Sequence, residues 1–222
     1  MFVGAFLQRY ELACELLPVL NYPQLTSNVY AADELSSEQA QRLNGFIEAA
    51  YARISQVYGK PTSTPRFVIT NSIERAVKWG ANNTASMHRM PWRSCIVIGP
   101  NGHNSDVIAH EWLHAEIQHR VGFLRFLEQI PVWFDEGAAL TVDYRAPFLP
   151  KNIRLTEADI AAVKQLTTGR RFFAHNAIQH YQAARLAVGP LIEPAQFYHN
   201  LQRVSAGEPF DSVFLSSDTA KQ

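Results

Sequence analysis

His110-Glu111-Trp112-Leu113-His114 places two imidazoles four residues apart, with a carboxylate directly after the first. On an α-helix, residues four apart share one face and lie about 6 Å apart along the axis. Two imidazoles so placed can bind one Zn²⁺, and Glu111 can reach a water on that ion and take its proton as general base. The bland alternative is a helix carrying two solvent-facing histidines. A catalytic zinc also needs a third protein ligand and an open position. Glu136 stands 22 positions after His114 in Ile130-Pro131-Val132-Trp133-Phe134-Asp135-Glu136-Gly137, behind a Pro-x-Trp that would set the start of a second helix. Two other readings stay open here. Glu136 can be a solvated acid near a helix N-terminus, where the dipole favours it, and Asp135 is the rival ligand.

Together HEWLH and PVWFDEG resemble the gluzincin zinc metallopeptidases, which include thermolysin and the aminopeptidase N-like enzymes. In that family the third ligand is a Glu from a following helix, placed immediately before Gly. The resemblance implies His110, His114 and Glu136 as ligands of one Zn²⁺ per chain, Glu111 as the base, and peptide-bond hydrolysis as the reaction. It implies a Tyr or His from a C-terminal helix that donates to the developing oxyanion. Tyr181, in His180-Tyr181-Gln182-Ala183-Ala184, is the choice; His175 and His180 are runners-up, and a Tyr serving only the core is the plain alternative. The resemblance also implies that the strand before the HExxH helix, Cys95–Gly99, lies at the sheet edge and pairs with extended substrate. The Gly-x-Met-Glu-Asn-type segment of aminopeptidase N-like enzymes is absent: Ile96-Val97-Ile98-Gly99-Pro100 carries no acid. That favours an endopeptidase over an aminopeptidase. The resemblance is specific around residues 106–144; over the rest of 35–215 it is a likeness of layout.

Several elements must position these groups. Asn104, Ser105 or Asp106 can cap the HExxH helix, which should run to about Val121 and stop at Gly122. A second helix should hold Glu136 and continue toward Tyr144. Asp106, one turn before His110, and Asp143, two turns after Glu136, are candidate acceptors for a ligand's second N–H. For Asp106 the rival role is the N-cap. Upstream, Ser36 or Ser37 should cap a long helix to about Tyr58, with Leu43, Phe46, Ile47, Ala50, Ile54 and Val57 at helical spacing. Arg66–Thr70 and Ser94–Pro100 read as strands. Residues 71–79 read as a short helix with Ile73, Ala76 and Val77 inward, and residues 80–93 as loop. Residues 155–218 are expected to be mostly helical.

The predicted fold is therefore α+β and, on the resemblance, zincin-like: a small mixed sheet, the HExxH helix and a mostly helical C-terminal part. An N-terminal helix and extended lead-in should cover residues 1–34. A single metallopeptidase domain should cover 35–222, with its sheet in about 35–122 and its helical part in about 123–222.

Composition narrows the partners. The chain has 222 residues, 47% of them hydrophobic, enough for one large core. Twenty basic residues balance twenty acidic ones, so nucleic-acid binding has no electrostatic support. The expected partner is a peptide or protein substrate, with the oligomeric state open. No apolar run is long enough to span a membrane. Met1–Leu7 is apolar but short, and lacks a basic leader. It either opens a globular helix or is the remnant of a membrane tether, so export and a cytoplasmic setting both stay open. Cys14 and Cys95 have no metal-type spacing. A disulfide would need an oxidising compartment, and two buried thiols are the expected outcome. Trp79, Trp92 and Trp133 are candidates to line an apolar pocket, and His88 and His103 are loop histidines that could approach the cleft. His119 should point away from the site. The alternative function is a catalytically idle zinc-binding domain for protein–protein interaction, against which Glu111 speaks because a structural site needs no base. A metal-free helical interaction domain is the third reading.

Overall fold

Phe67-Val68-Ile69 and Ile96-Val97-Ile98 are apolar at every position, the pattern of strands covered on both faces. Both lie inside the sheet. The computed structural model describes residues 9–216; Met1–Leu7, the candidate tether, falls outside the described residues, as do residues 217–222. The described residues begin with α1 (Arg9–Leu16), β1 (Gln24–Thr26), β2 (Val29–Ala31) and α2 (Ser37–Tyr58). It continues through β3 (Arg66–Ile69), α3 (Ile73–Lys78), β4 (Ala85–His88), β5 (Cys95–Ile98) and α4 (Ser105–Val121). The remainder is helical: α5 (Phe123–Gln129), α6 (Val132–Ala139), α7 (Glu157–Val163), α8 (Gly169–Phe172), α9 (Ala177–Val188), α10 (Pro194–Ala206) and α11 (Phe210–Phe214). The architecture is thus α+β with a small mixed sheet. None of the described helices is long and apolar enough to cross a membrane.

The five strands run in the order β1-β2-β3-β5-β4. The central pairs are parallel, with Phe67 opposite Ile96 and Ile69 opposite Ile98, while β1 and β4 run antiparallel to their neighbours. Successive strand residues face opposite sides. Phe67, Ile69, Ile96 and Ile98 therefore enter the main core with α2 and α4, and Val68, Cys95 and Val97 enter a second cluster with Cys14, Leu17 and Trp79. This alternation brings Cys95 against the inner face of α1, and Cys14 and Cys95 form a disulfide. The expectation of two free thiols is corrected. The lead-in before residue 35 supplies β1 and β2, so it belongs to the same sheet.

Other expectations change with tertiary context. Ser36 caps α2 in a capping box with Gln39, as the pattern suggested. On α3 only Ala76 is buried; Ile73 and Val77 are exposed, because the helix is too short to cover the sheet with more than one side chain. The segment 80–93 is not all loop, since it contains β4. This strand alternates apolar Ala85 and Met87 with polar Ser86 and His88 and has no apolar run to announce it. β5 lies inside the sheet, not at its edge; β4 takes the edge. Finally, α6 stops at Ala139 and does not reach Tyr144. The Thr141 hydroxyl donates to the Ala138 carbonyl at 2.6 Å, and Val142 turns into the core.

Candidate metal centre

Helix α4 starts where Asn104 Oδ1 accepts from the Val107 N–H at 2.9 Å, so Asn104 is its N-cap. Leu113 and Ile117 of α4 are fully buried in the main core. His110 and His114, four residues apart, are 6% and 5% exposed, so neither is a solvent-facing surface histidine. On α6, Gly137 lies against α9 so closely that a Cβ there would fall 2.4 Å from the Ala184 carbonyl oxygen. That approach seats buried Glu136 over the two imidazoles.

The three groups converge. His110 Nε2 and His114 Nε2 are 3.1 Å apart, and each lies 3.4 Å from Glu136 Oε2. A tetrahedral ion with bonds of about 2.0–2.1 Å holds its ligand atoms about 3.3 Å from one another. The observed triangle matches that spacing. Glu136 Oε2 is buried without a hydrogen-bond donor, as a ligand oxygen would be. The donor set of two imidazoles and one carboxylate suits a divalent transition ion. Asp135, the rival ligand, does not join the triangle.

Both imidazoles are braced from behind. Asp135 Oδ1 lies 2.9 Å from His114 Nδ1, and Asp143 Oδ2 lies 3.5 Å from His110 Nδ1. Each aspartate meets an arginine in turn. Arg89 Nη2 donates to Asp135 Oδ2 at 3.1 Å, and Arg145 grips both oxygens of Asp143 through Nε and Nη2. Two Arg–Asp–His relays thus converge on the site. Asp143 reaches His110 because α6 ends early and the chain turns back, not because the helix continues. Asp106 is neither the cap nor a partner of His110: it accepts from Arg53 and from the Tyr144 N–H.

The electrostatics follow from the packing. Glu111, Asp135, Glu136 and Asp143 supply four carboxylates against the two guanidiniums of Arg89 and Arg145. With neutral imidazoles, two negative charges remain, which one divalent cation would balance. Burial pushes the Glu136 carboxyl up, but His114 and His110 outweigh it and hold the group far below the usual carboxylate range. Burial works against the imidazolium form of His110, yet Asp143 and Glu136 raise its pKa; Asp135 and Glu136 do the same more strongly for His114. Glu111 moves the other way. Burial raises its pKa, only partly offset by the two histidines. A carboxyl so raised is a stronger proton acceptor.

Glu111 and the three converging residues line one cleft of about 520 Å³. Ala85, Ser86 and Met87 of the edge strand form one wall. Val132, Gly169, Phe173 and Tyr181 also line the cleft, and so does Arg89. The Tyr181 ring packs edge-on to His110 with centroids 6.4 Å apart. Burial first, and then the charges of Glu136 and Glu111, raise the pKa of its hydroxyl and keep it a protonated donor. The runners-up stay out: His175 is exposed and His180 Nδ1 pairs with the Phe172 carbonyl. His88 and His103 contact the Trp79 and Thr70 carbonyls. Trp79 and Trp133 are buried in the two cores and Trp92 is exposed, so none of these tryptophans lines the cleft.

Sequence reasoning missed both arginines and the bracing role of Asp135. The Asp143-x-Arg145 spacing carried a signal for one relay. Arg89, in a segment without periodicity, carried none. Neither family models, nor curated proteins, nor solved structures gave any match to this chain.

Proposed function

We propose that this chain is a zinc-dependent metallopeptidase of the gluzincin type with a zincin-like fold, acting as an endopeptidase. One observation carries the reading: His110 Nε2, His114 Nε2 and Glu136 Oε2 stand 3.1–3.4 Å apart at the floor of an open cleft, with Glu111 beside them. A bound Zn²⁺ polarises a carbonyl and acidifies water at neutral pH. Glu111 takes the proton of the attacking water and passes it to the leaving amine nitrogen. Tyr181 donates a hydrogen bond where the carbonyl oxygen becomes an oxyanion. Asp135 and Asp143 hold the tautomer and ring orientation of the two ligand histidines. The outer edge of β4 offers its main-chain groups to an extended peptide, a contact that tolerates many side chains.

The acids lining the cleft are Glu111 and Glu136, and both are committed. Among the described residues no further carboxylate lines the cleft to hold a substrate's free amine, which favours cleavage within a chain over removal of its first residue. The Cys14–Cys95 bond fits work in an oxidising compartment.

Metal analysis and one variant test the reading. About one zinc per chain is expected, and Glu111→Gln should keep the zinc and lose cleavage by about 10²–10⁴-fold. Full activity in that variant refutes the mechanism. Glu136→Ala should weaken zinc binding, and unchanged affinity removes Glu136 from the ligands. A wild-type chain that binds zinc and cleaves nothing across a broad peptide library returns the reading to a zinc-binding interaction domain.

A further inference from the structure

The two arginines behind the ligands are not equivalent. Arg145 is spent on its aspartate: Nε and Nη2 both engage Asp143, its guanidinium carbon lies 5.0 Å from the Phe148 ring centroid, and it does not line the cleft. Arg89 makes a single hydrogen bond, Nη2 to Asp135 Oδ2 at 3.1 Å, and it does line the cleft. Its guanidinium carbon sits 4.9 Å over the Phe126 ring, a cation–π contact. Its Nε is buried without a partner, and among the described residues no carboxylate other than Asp135 lies within ion-pair distance. A guanidinium has five N–H donors and takes a carboxylate through two parallel bonds. Arg89 is the one arginine or lysine among the cleft-lining residues. It directly follows β4, the strand whose edge an extended peptide would track.

We propose that Arg89 is a specificity residue that binds a carboxylate of the substrate through its uncommitted N–H donors. The substrates preferred are then peptides with a carboxylate near the scissile bond. That carboxylate is either an Asp or Glu side chain or the free C-terminus of a short peptide. This rests on the peptidase reading above. Arg145 shows what an arginine does here when it serves only as a brace, for it saturates its aspartate and stays out of the cleft. Arg89 braces with one N–H, its Nε is buried, and the remaining N–H groups at the exposed end of its fork are left for a ligand. Only an arginine presents that planar pair of donors, so lysine is a poor substitute.

The test uses matched peptides on the full chain loaded with zinc. One pair differs only as internal Glu against Gln, with amidated C-termini. The other differs only as free acid against amide at the C-terminus. The wild-type chain should favour the carboxylate member of at least one pair by about 10- to 100-fold in kcat/KM, mostly through KM, as a charge-assisted bidentate contact provides. The pair that shows the preference identifies the source of the carboxylate. Arg89→Gln should bring that ratio near one, and Arg89→Lys should restore only part of it. The ratio is the readout, so a general loss of activity from a disturbed Asp135 does not mimic the effect. If Arg89→Gln lowers turnover of both members equally, or if wild type shows no preference in either pair, the proposal is overturned.

A binding arm separates this proposal from the peptidase reading. The same peptides are titrated calorimetrically into zinc-loaded Glu111→Gln, with and without Arg89→Gln. Selective binding that depends on Arg89, in a chain whose wild type cleaves nothing, upholds the carboxylate site and refutes the peptidase reading. Equal affinity for both members of each pair overturns the carboxylate site, whatever the wild type cleaves.

Discussion

Replacing Gly137 with alanine adds one methyl group at the point where α6 and α9 touch. That carbon would lie 2.4 Å from the Ala184 carbonyl oxygen and 2.6 Å from Val188 Cγ1, where ordinary contact begins at 3.4 Å. The helices must part by about 1 Å to restore normal contact. Two effects compete. Alanine is a better helix former than glycine by about 1 kcal/mol. Overpacking costs about 1–3 kcal/mol, and the upper end applies because the obstacle is backbone that cannot rotate away. The net loss is about 1–2 kcal/mol, or about 2–8 °C in Tm for a chain of this size. The effect on turnover should be larger. Tyr181 lies one turn before Ala184 on α9, while Glu136 adjoins Gly137 on α6, so parting the helices separates donor from ligand. A displacement of about 1 Å at a reacting centre costs about 100-fold in rate. Thermal melts, zinc titration and peptide turnover on Gly137→Ala measure all three consequences. A variant that melts at or above wild type, with unchanged turnover, would refute the close approach and the need for glycine after the ligand.

Three further outcomes are expected. Asp143→Asn should weaken zinc affinity by about 10- to 100-fold, with Arg145→Gln moving it the same way; unchanged affinity in both would dissolve the relay behind His110. Glu116 is fully buried and accepts from the Thr62 and Ser63 N–H groups and from Arg120, which outweigh burial and hold its pKa below 4.5. Its contribution should be fully present above about pH 4.5 and fade as pH falls through the lower folded value. Glu116→Ala should cost about 3–5 kcal/mol by taking the acceptor from the buried Ser63 N–H and the partner carboxylate from Arg120, and an acid-melting slope identical in Glu116→Gln and wild type would contradict the pH assignment. The Cys14–Cys95 bond closes a loop across 81 residues, so the double serine variant should lose up to about 4 kcal/mol in denaturant melts. Unchanged stability would mean that α1 is held by packing alone.

Local pattern was strong wherever one element sufficed. His110, Glu111 and His114 needed only helical spacing, and Ser36, Gly59 and Gly122 marked helix ends through capping chemistry that acts over three or four residues. Residues 67–69 and 96–98 read as strand cores because a strand covered on both faces must be apolar there. β4 escaped notice because an edge strand needs one covered face only, and Ala85-Ser86-Met87-His88 has no run to reveal it. The tail of α6 was misjudged because Thr141 turns the chain by binding Ala138 and Tyr58, and Tyr58 is distant in sequence.

The sequence by itself determined the chemistry on offer: two imidazoles on one helix face, a carboxylate between them, and a second acid before a glycine. These are short-range facts, set by the 3.6-residue repeat and by residue type. Only the tertiary structure decided which groups meet. It brought Glu136 to 3.4 Å from both imidazoles, set Asp135 behind His114 and outside that triangle, and returned Asp143 to His110 through a turn. It also assigned the cleft wall to β4 and put Arg89 in the cleft. Each of these depends on the close packing of helices and strands remote in sequence, and the backbone period of a single element carries no trace of that packing.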